Sequence, residues 1–317
     1  MLNSNEQIKV GISSCLLGEK VRFDSGHKKN QYVLNVLAEY FEFISFCPEV
    51  DIGLGIPRET IRLVEVGDVI KCIGSKTADL DVTEKLTDSA ERQKPWHTEL
   101  SGYILKKDSP SCGMERVRVY KGSMPERKGI GIYAKQLIKN FPQLPMEEEG
   151  RLGDPVIREN FIQRVFIFHR WKTLMNQTIS LNSLYEFHAQ HKYIYMSHCP
   201  EKAKNLGRLI AGIDSQDLVE VSLQYLDKMM EILRIKATKK NHVNTLNHIQ
   251  GYLKKYISAP HKKEMVDVIE QYRLGFLPLI VPITLLRHHF NDHPNEYITK
   301  SFYLKPHPSE LMLLNSL

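Results

Sequence analysis

The hydrophobic pattern of the chain changes near its middle, and this change limits the folds that the chain can adopt. In the first 150 residues, short apolar runs such as IKVGIS, FEFISF and GYIL alternate with segments such as NQYVLNVLAEYF, whose apolar residues recur at helical spacing. Strands that alternate with helices pair into a parallel sheet. We therefore predict an α/β, Rossmann-like domain with a parallel sheet over residues 1–150.

The second half of the chain has helical periodicity alone. The segment LPMEEEGRLGDP, rich in proline, glycine and acid, marks the boundary near residue 150. Beyond it, DSQDLVEVSLQYLDKMMEILRI is typical of an amphipathic helix with Asp214 or Ser215 as its cap, and Ser183 with Glu186 has capping-box spacing. We predict an all-α domain over residues 151–317.

Three cysteines occupy equivalent places in the N-terminal half. Cys15, Cys47 and Cys112 each follow a predicted strand by a few residues, in loops that contain proline or glycine. The carboxyl ends of parallel strands open on one edge of a sheet, where α/β folds place their sites. We therefore expect these three thiols to converge, whereas Cys72 and Cys199 are expected to be small buried hydrophobic residues.

The spacing of the trio restricts the metal that it could bind. A structural zinc site would need a fourth Cys or His at short spacing, and the chain has no CxxC pair. A [4Fe–4S] cluster on three cysteines leaves one iron without a protein ligand, and that iron can act as a Lewis acid toward sulfur. The trio therefore predicts a [4Fe–4S] cluster with three protein cysteine ligands and a substrate that carries sulfur.

Polar side chains able to transfer protons accompany these cysteines. Glu49 and Asp51 follow the second cysteine, and Ser109 and Ser111 precede the third. A carboxylate beside a cluster could activate water as a general base, and a serine could hold that water or relay a proton. All four are candidate catalytic residues, and the alternative for each is a structural role in a cap, turn or salt bridge. The candidate substrate-binding residues are Arg22, Asp24 and Lys107.

The excess positive charge lies entirely in the C-terminal half. Residues 1–150 carry 21 basic and 22 acidic residues, a net charge of −1, whereas residues 151–317 carry 22 and 15, a net charge of +7. A basic module beside a nearly neutral one favours binding of a polyanion such as RNA. The candidate RNA-facing residues are Lys239, Lys240, Lys254, Lys255, Lys262, Lys263, Asn244, Asn247 and Arg273.

Histidines and tyrosines of this half carry weaker signals. His188, His191, His242 and His248 are expected at the surface or facing phosphate rather than at a second metal site, because no HExxH motif is present. Tyr252 and Tyr256 are expected in the core rather than as platforms for base stacking.

Composition favours a cytoplasmic protein. No run approaches the roughly 18 apolar residues that span a bilayer, and the N-terminal MLNSNEQIKVG lacks the pattern of a secretory signal. Five cysteines, an odd number, do not form a disulfide framework.

Three segments, SSCLLGEKVRFD, CPEVDIGLGIPRE and KDSPSCG, resemble the 2-thiouracil desulfidase (TudS) family over roughly residues 8–150. The second half resembles the YbgA-like domain in FHRWKTLM, HVNTLNHIQGYLKKYIS, LGFLPLIVPITLLRHH and FYLKPHPSELMLLNSL. The fusion of the two is similar to RudS-type tRNA 4-thiouridine desulfidases. This resemblance implies a [4Fe–4S] cluster on Cys15, Cys47 and Cys112.

The resemblance also implies an activity. We expect a non-redox tRNA desulfidase that converts a thiolated uridine, with 4-thiouridine as the first candidate, to uridine and releases sulfide. Glu49 or Asp51 would deprotonate water, and Ser111 or Ser109 would orient it. One alternative is a desulfidase of free 2-thiouracil or related thio-nucleobases, with the helical domain serving dimerisation. The other is a non-catalytic RNA-binding protein with a structural metal site.

Overall fold

The computed structural model describes residues 7–77, 79–122, 124–212, 218–308, 311 and 313–315. The chain divides into two compact units, Met1–Gly153 and Asp154–Leu317. The first contains all eight strands of the described residues, and the second is helical throughout its described part. The prediction of an α/β domain with a parallel sheet followed by an all-α domain is confirmed.

A four-stranded parallel sheet organises the first unit. Its strands are β1 (Ile8–Ser13), β2 (Phe41–Phe46), β5 (Gly102–Leu105) and β8 (Met146–Glu148), in the order β2-β1-β5-β8. The central strands are almost wholly buried, which explains their continuous apolar runs. Because β1 pairs in parallel with both β2 and β5, the three strands that precede the cysteine trio end on one edge.

A second sheet, which the periodicity did not predict, belongs to the same unit. It contains β3 (Ile61–Val66), β4 (Val69–Gly74), β6 (Val117–Lys121) and β7 (Met124–Gly129), in the order β4-β3-β6-β7. Two antiparallel hairpins are joined by a parallel β3–β6 pair. Cys72 on β4 is fully buried in the core of this sheet, as predicted, whereas Cys199 in the second unit is half-buried.

Five helices complete the first unit. They are α1 (Gln31–Asn35), α2 (Pro48–Asp51), α3 (Thr83–Arg92), α4 (Lys94–His97) and α5 (Ile132–Asn140). At the start of α3, the Asp81 carboxylate accepts hydrogen bonds from the Thr83 backbone N–H (3.0 Å) and hydroxyl (2.6 Å), satisfying an amide that the helix leaves unpaired.

The second unit is a bundle of eight helices in its described residues. They are α6 (Pro155–Met175), α7 (Leu181–His198), α8 (Pro200–Ala211), α9 (Leu218–Arg234), α10 (Lys239–Gln250), α11 (Ala259–Leu274), α12 (Ile280–Asp292) and α13 (Glu296–Thr299). The predicted caps Asp214 and Ser215 lie outside the described residues. The capping box of α7 is formed by Ser180 and Ser183, so the predicted box with Glu186 is wrong by one turn. None of the described helices is both long and apolar enough to cross a membrane.

Burial corrects several expectations for the second unit. His188, His191 and His242 are buried rather than at the surface, and burial lowers the pKa of His188 to about 4. Tyr252 and Tyr256 are 37% and 62% exposed and are not core residues. Which of these side chains are buried depends on how each helix is rotated against its neighbours, and the periodicity of the sequence did not resolve that rotation.

A buried carboxyl in α6 makes the stability of the helical unit depend on pH. Glu159 is 5% exposed, and its Oε2 has no hydrogen-bond partner among the described residues. Burial raises its pKa from 4.5 to about 8, and nearby Arg158 offsets only part of this. The folded state therefore holds a proton that the unfolded chain releases above its own pKa.

We expect the contribution of protonated Glu159 to the unfolding free energy to be fully present below about pH 4.5 and to be lost as pH rises toward 8. Relative to Glu159→Gln, the wild-type helical unit should lose up to about 1.4 kcal/mol of unfolding free energy per pH unit in that window. Urea unfolding in a Trp96→Phe background, where Trp171 reports on this unit, measures it. Parallel pH profiles for the two proteins would contradict the prediction.

Candidate active site

The three cysteines line one cavity at the carboxyl edge of the parallel sheet. Cys15 lies in a short 3-10 turn directly after β1, Cys47 follows β2 and caps α2, and Cys112 lies in the loop after β5. The cavity has a volume of about 300 Å³, and we call it the cysteine cavity. The structure thus brings together three residues that are far apart in the chain.

The thiols of this cavity are unbridged and difficult to ionise; Cys15 and Cys112 are buried, and Cys47 is half-buried. Burial raises the pKa of Cys15 to about 11, partly opposed by the positive charge of Lys106. Burial also raises the pKa values of Cys47 and Cys112, and the charge of an ionised Cys47 further raises the pKa values of Cys15 and Cys112. Thiolates at this site therefore require a positive group to stabilise them.

The loop that carries Cys112 is held against the start of α5. The backbone N–H groups of Ile132 and Ala134 donate to the carbonyls of Pro110 (3.0 Å) and Ser111 (3.1 Å). Gly131 permits this approach, because a Cβ there would lie 2.5 Å from the carbonyl carbon of Ser111. Backbone N–H groups at the start of α5, which have no partner within the helix, thus fix the position of the loop that carries Ser111 and Cys112.

Glu49 and the two serines form a hydrogen-bonded chain in the cysteine cavity. The Ser111 hydroxyl donates to Glu49 Oε1 at 2.6 Å, and Ser109 Oγ lies 2.9 Å from Ser111 Oγ. The Ser109 hydroxyl also accepts from the backbone N–H of Cys112 at 3.1 Å. All three polar side chains line the cavity beside the thiols, so this chain can conduct a proton away from Glu49.

Arg58, which the sequence analysis did not single out, holds the other side of Glu49. Its Nη2 and Nε donate to Glu49 Oε2 at 2.6 and 3.0 Å, and Nη2 and Nη1 also donate to the carbonyls of Val21 and Gly55. The guanidinium is only 5% exposed. Left-handed backbone at Gly53 and Gly55 returns the chain after α2 so that this contact forms.

Asp51 lies on a different side of α2. Its carboxylate accepts hydrogen bonds from Ser89 (2.7 Å) and Arg92 (2.8 Å) of α3, and it is not among the residues that line the cysteine cavity. Residues two apart on a helix point about 200° apart, which separates Asp51 from Glu49.

Cations outnumber acids in the lining of the cysteine cavity, where the acidic residues are Glu49 and Asp108. Arg22, Lys28, Lys106 and Lys107 line it together with Phe23. Of the predicted substrate-binding residues, Arg22 and Lys107 therefore reach the cavity. Asp24 is not among its lining residues: its carboxylate accepts from the Gly26 N–H (3.0 Å) and pairs with Arg22 (3.6 Å).

Sequence reasoning missed Arg58 and Lys106, although Arg58 stands inside a segment already singled out and Lys106 lies directly between two of them. Arg58 lies in CPEVDIGLGIPRE, and Lys106 directly precedes Lys107 after β5. The signal that could have identified Arg58 is its place in the same motif as Glu49, the candidate base.

Comparisons with known proteins cover most of the chain. Residues 10–149 match the family model described as 2-thiouracil desulfurase, and residues 192–308 match that of a protein of unknown function, DUF1722. The chain is 25% identical over 154 residues to the uncharacterized protein YbgA of Escherichia coli strain K12, covering 48% of this chain and 91% of YbgA. A [4Fe-4S]-dependent thiouracil desulfidase, TudS, is similar at 28% identity with a TM-score of 0.38, over 47% of this chain and 95% of that one.

The first matched segment spans all three cysteines, both serines and Glu49, and the second spans most of the helical unit. The resemblance of each half to its family is thereby confirmed. Residues 10–149 are thus similar to the 2-thiouracil desulfurase family, and residues 192–308 to a family of unknown function, DUF1722.

Proposed function

We propose that the first unit is an iron–sulfur-dependent, non-redox desulfidase whose substrate is a thiolated uridine of tRNA, with 4-thiouridine as the first candidate. The observation that carries the proposal is the cavity that three thiols share with the hydrogen-bonded chain of Glu49, Ser111 and Ser109. The excess positive charge of residues 151–317 supports RNA as the partner of the second unit.

The donor set of the cysteine cavity suits a cluster. In the described part of the chain, no group of three or more His, Cys, Asp or Glu side chains is arranged to hold a single metal ion. A [4Fe–4S] cluster differs because its cysteines bind different irons and stand around a larger group. Cys15, Cys47 and Cys112 would hold it, and its positive irons would stabilise thiolates that burial otherwise disfavours.

When bound, the cluster would supply a Lewis-acidic iron for the sulfur of the substrate. Glu49, kept in position by Arg58, takes a proton from the water that attacks the thiocarbonyl carbon. A C–O bond forms and the C–S bond breaks. Sulfur leaves as hydrogen sulfide with both protons of the water, so no electrons are exchanged and no reductant is consumed. Ser111 and Ser109 relay the proton from Glu49 to the departing sulfur.

A second candidate is a desulfidase of free thio-nucleobases. The cysteine cavity, at about 300 Å³, lies at the small end of the usual range for ligand sites and would enclose a single base. Salt separates the two candidates, because tRNA binding through phosphates weakens steeply with ionic strength whereas binding of a neutral base does not.

The direct test uses bulk tRNA from a thiouridine-containing bacterium. Protein whose cluster has been reconstituted without oxygen is incubated with this tRNA, and the nucleosides are then measured by mass spectrometry. We expect 4-thiouridine to fall, uridine to rise equally and sulfide to be released without added reductant. Unchanged tRNA, with turnover of free 2-thiouracil, would assign the enzyme to the free bases.

A further inference from the structure

We propose that a second cavity, inside the helical unit, binds an unpaired nucleotide of an RNA chain. This cavity has a volume of about 760 Å³, within the usual range of about 300–1,000 Å³ for ligand sites. Helices α7, α8 and α10, the turn after α10 and α13 form its walls. We call it the tyrosine cavity; it shares no residue with the cysteine cavity.

Aromatic rings form one wall of the tyrosine cavity. Tyr252 and Tyr297 stack with ring centroids 6.0 Å apart and planes at 23°, and Tyr193 meets Tyr297 edge-on at 6.1 Å. The Tyr193 hydroxyl donates to that of Tyr252 at 3.2 Å, which fixes the two rings relative to each other. With 37% of its surface exposed, Tyr252 offers a platform on which a nucleobase can stack.

The charges of the tyrosine cavity are of one sign. Lys192, Lys204 and Arg208 line it and are exposed, and none of its lining residues within the described chain is acidic. Cations at the rim and aromatic rings at the wall match a ligand with a flat apolar part and an anionic part. A nucleobase with its phosphate has this composition.

The floor of the cavity offers hydrogen bonds to the edge of a base. His188 Nδ1 lies 3.1 Å from the Tyr225 hydroxyl, which itself donates to Tyr195, so His188 donates through Nδ1 and keeps Nε2 as an acceptor. Gly207 stands opposite this nitrogen, where an added Cβ would lie 3.4 Å from Nε2. An imino or amino N–H of a base could therefore donate a hydrogen bond to His188 Nε2.

A nucleobase with its phosphate could come from either of two ligands, a nucleotide within RNA or a free nucleotide. The net charge of +7 over residues 151–317 favours RNA, because a single phosphate needs no extended positive surface. The inference rests on the proposed function only in taking RNA as the partner, and it needs neither the cluster nor desulfidation.

The test measures binding of fluorescein-labelled single-stranded oligouridylate to the full chain by anisotropy at fixed salt. We expect Tyr252→Leu to weaken binding roughly 5- to 100-fold, because one stacked base is lost, while Tyr252→Phe keeps the affinity. Tyr256→Leu is the matched control: Tyr256 is 62% exposed and does not line the cavity. The double variant Lys204→Gln with Arg208→Gln is compared with Lys228→Gln with Lys236→Gln, which alters two exposed lysines that do not line the cavity.

Equal losses for the cavity variants and their controls would overturn the inference, since binding would then follow diffuse charge. Displacement of the oligonucleotide by uridine monophosphate at equal affinity would assign the cavity to a free nucleotide and overturn the RNA partner. Wild-type protein that binds oligouridylate through Tyr252 but leaves thiolated tRNA intact would overturn the proposed function and support this inference.

Discussion

Replacing Cys112 with alanine is expected to abolish both the visible absorbance of the reconstituted cluster and desulfidation. Cys112 is 6% exposed and lines the cavity with the other two thiols, so no nearby described side chain can take its place as a thiolate. Loss of a Lewis acid removes several kcal/mol of transition-state stabilisation, a rate loss on the order of 10³-fold or more. Iron content, absorbance and sulfide release under anaerobic conditions measure the effect.

The matched control removes a thiol from the helical unit. Cys199→Ala deletes a half-buried cysteine whose side chain makes no capping hydrogen bond at the start of α8. We expect this variant to keep iron, absorbance and activity. If Cys112→Ala lost the cluster yet still removed sulfur from tRNA, the metal site would be structural and the proposed mechanism would be wrong.

The second large effect is expected at Glu49. Glu49→Gln keeps the shape of the side chain and an oxygen for the Ser111 hydroxyl but cannot accept a proton from water. Removal of a general base lowers turnover by about 10²- to 10⁴-fold. Because Arg58 then loses its carboxylate partner in a nearly buried position, we also expect lower stability of the first unit, which urea unfolding would detect.

Asp51→Asn is the control for this substitution. It alters a carboxylate on the same short helix whose partners are Ser89 and Arg92, outside the cysteine cavity. We expect unchanged cluster absorbance and turnover within about threefold of the wild type, since no catalytic contact is lost. The reverse result, with an active Glu49→Gln and an inactive Asp51→Asn, would transfer the role of base to Asp51.

The two units differ in how well their details could be predicted. The strands that precede Cys15 and Cys112 were visible as apolar runs, because strands buried on both faces have no polar alternation. The strand before Cys47, β2, is a partly buried edge strand whose polar residues interrupt its apolar ones. The second sheet was not predicted, because its pairing joins β3 to the distant β6. In the helical unit, periodicity predicted α9 but not the exposure of Tyr252, which lies in the turn after α10.

The site shows the same division at the level of single side chains. Sequence spacing could not separate Glu49 from Asp51, because a one-turn helix can present either one and its rotation depends on what it packs against. The contact of Asp51 with Ser89 on α3 settles that rotation. Arg58 was not identified because its approach to Glu49 depends on the path of the turn through Gly53 and Gly55.

The sequence by itself determined the class of fold, the boundary between an alternating and a helical half, and the presence of three thiols at the ends of parallel strands. These are local or periodic properties, because the pattern of apolar residues within a short segment is enough to predict a strand or a helix. Only the tertiary structure decided that Glu49 rather than Asp51 adjoins the thiols, that Arg58 orients Glu49, and that tyrosines and cations surround a second cavity. Each of these depends on side chains from separate elements meeting, and that meeting is selected by packing of the whole unit rather than by any one segment.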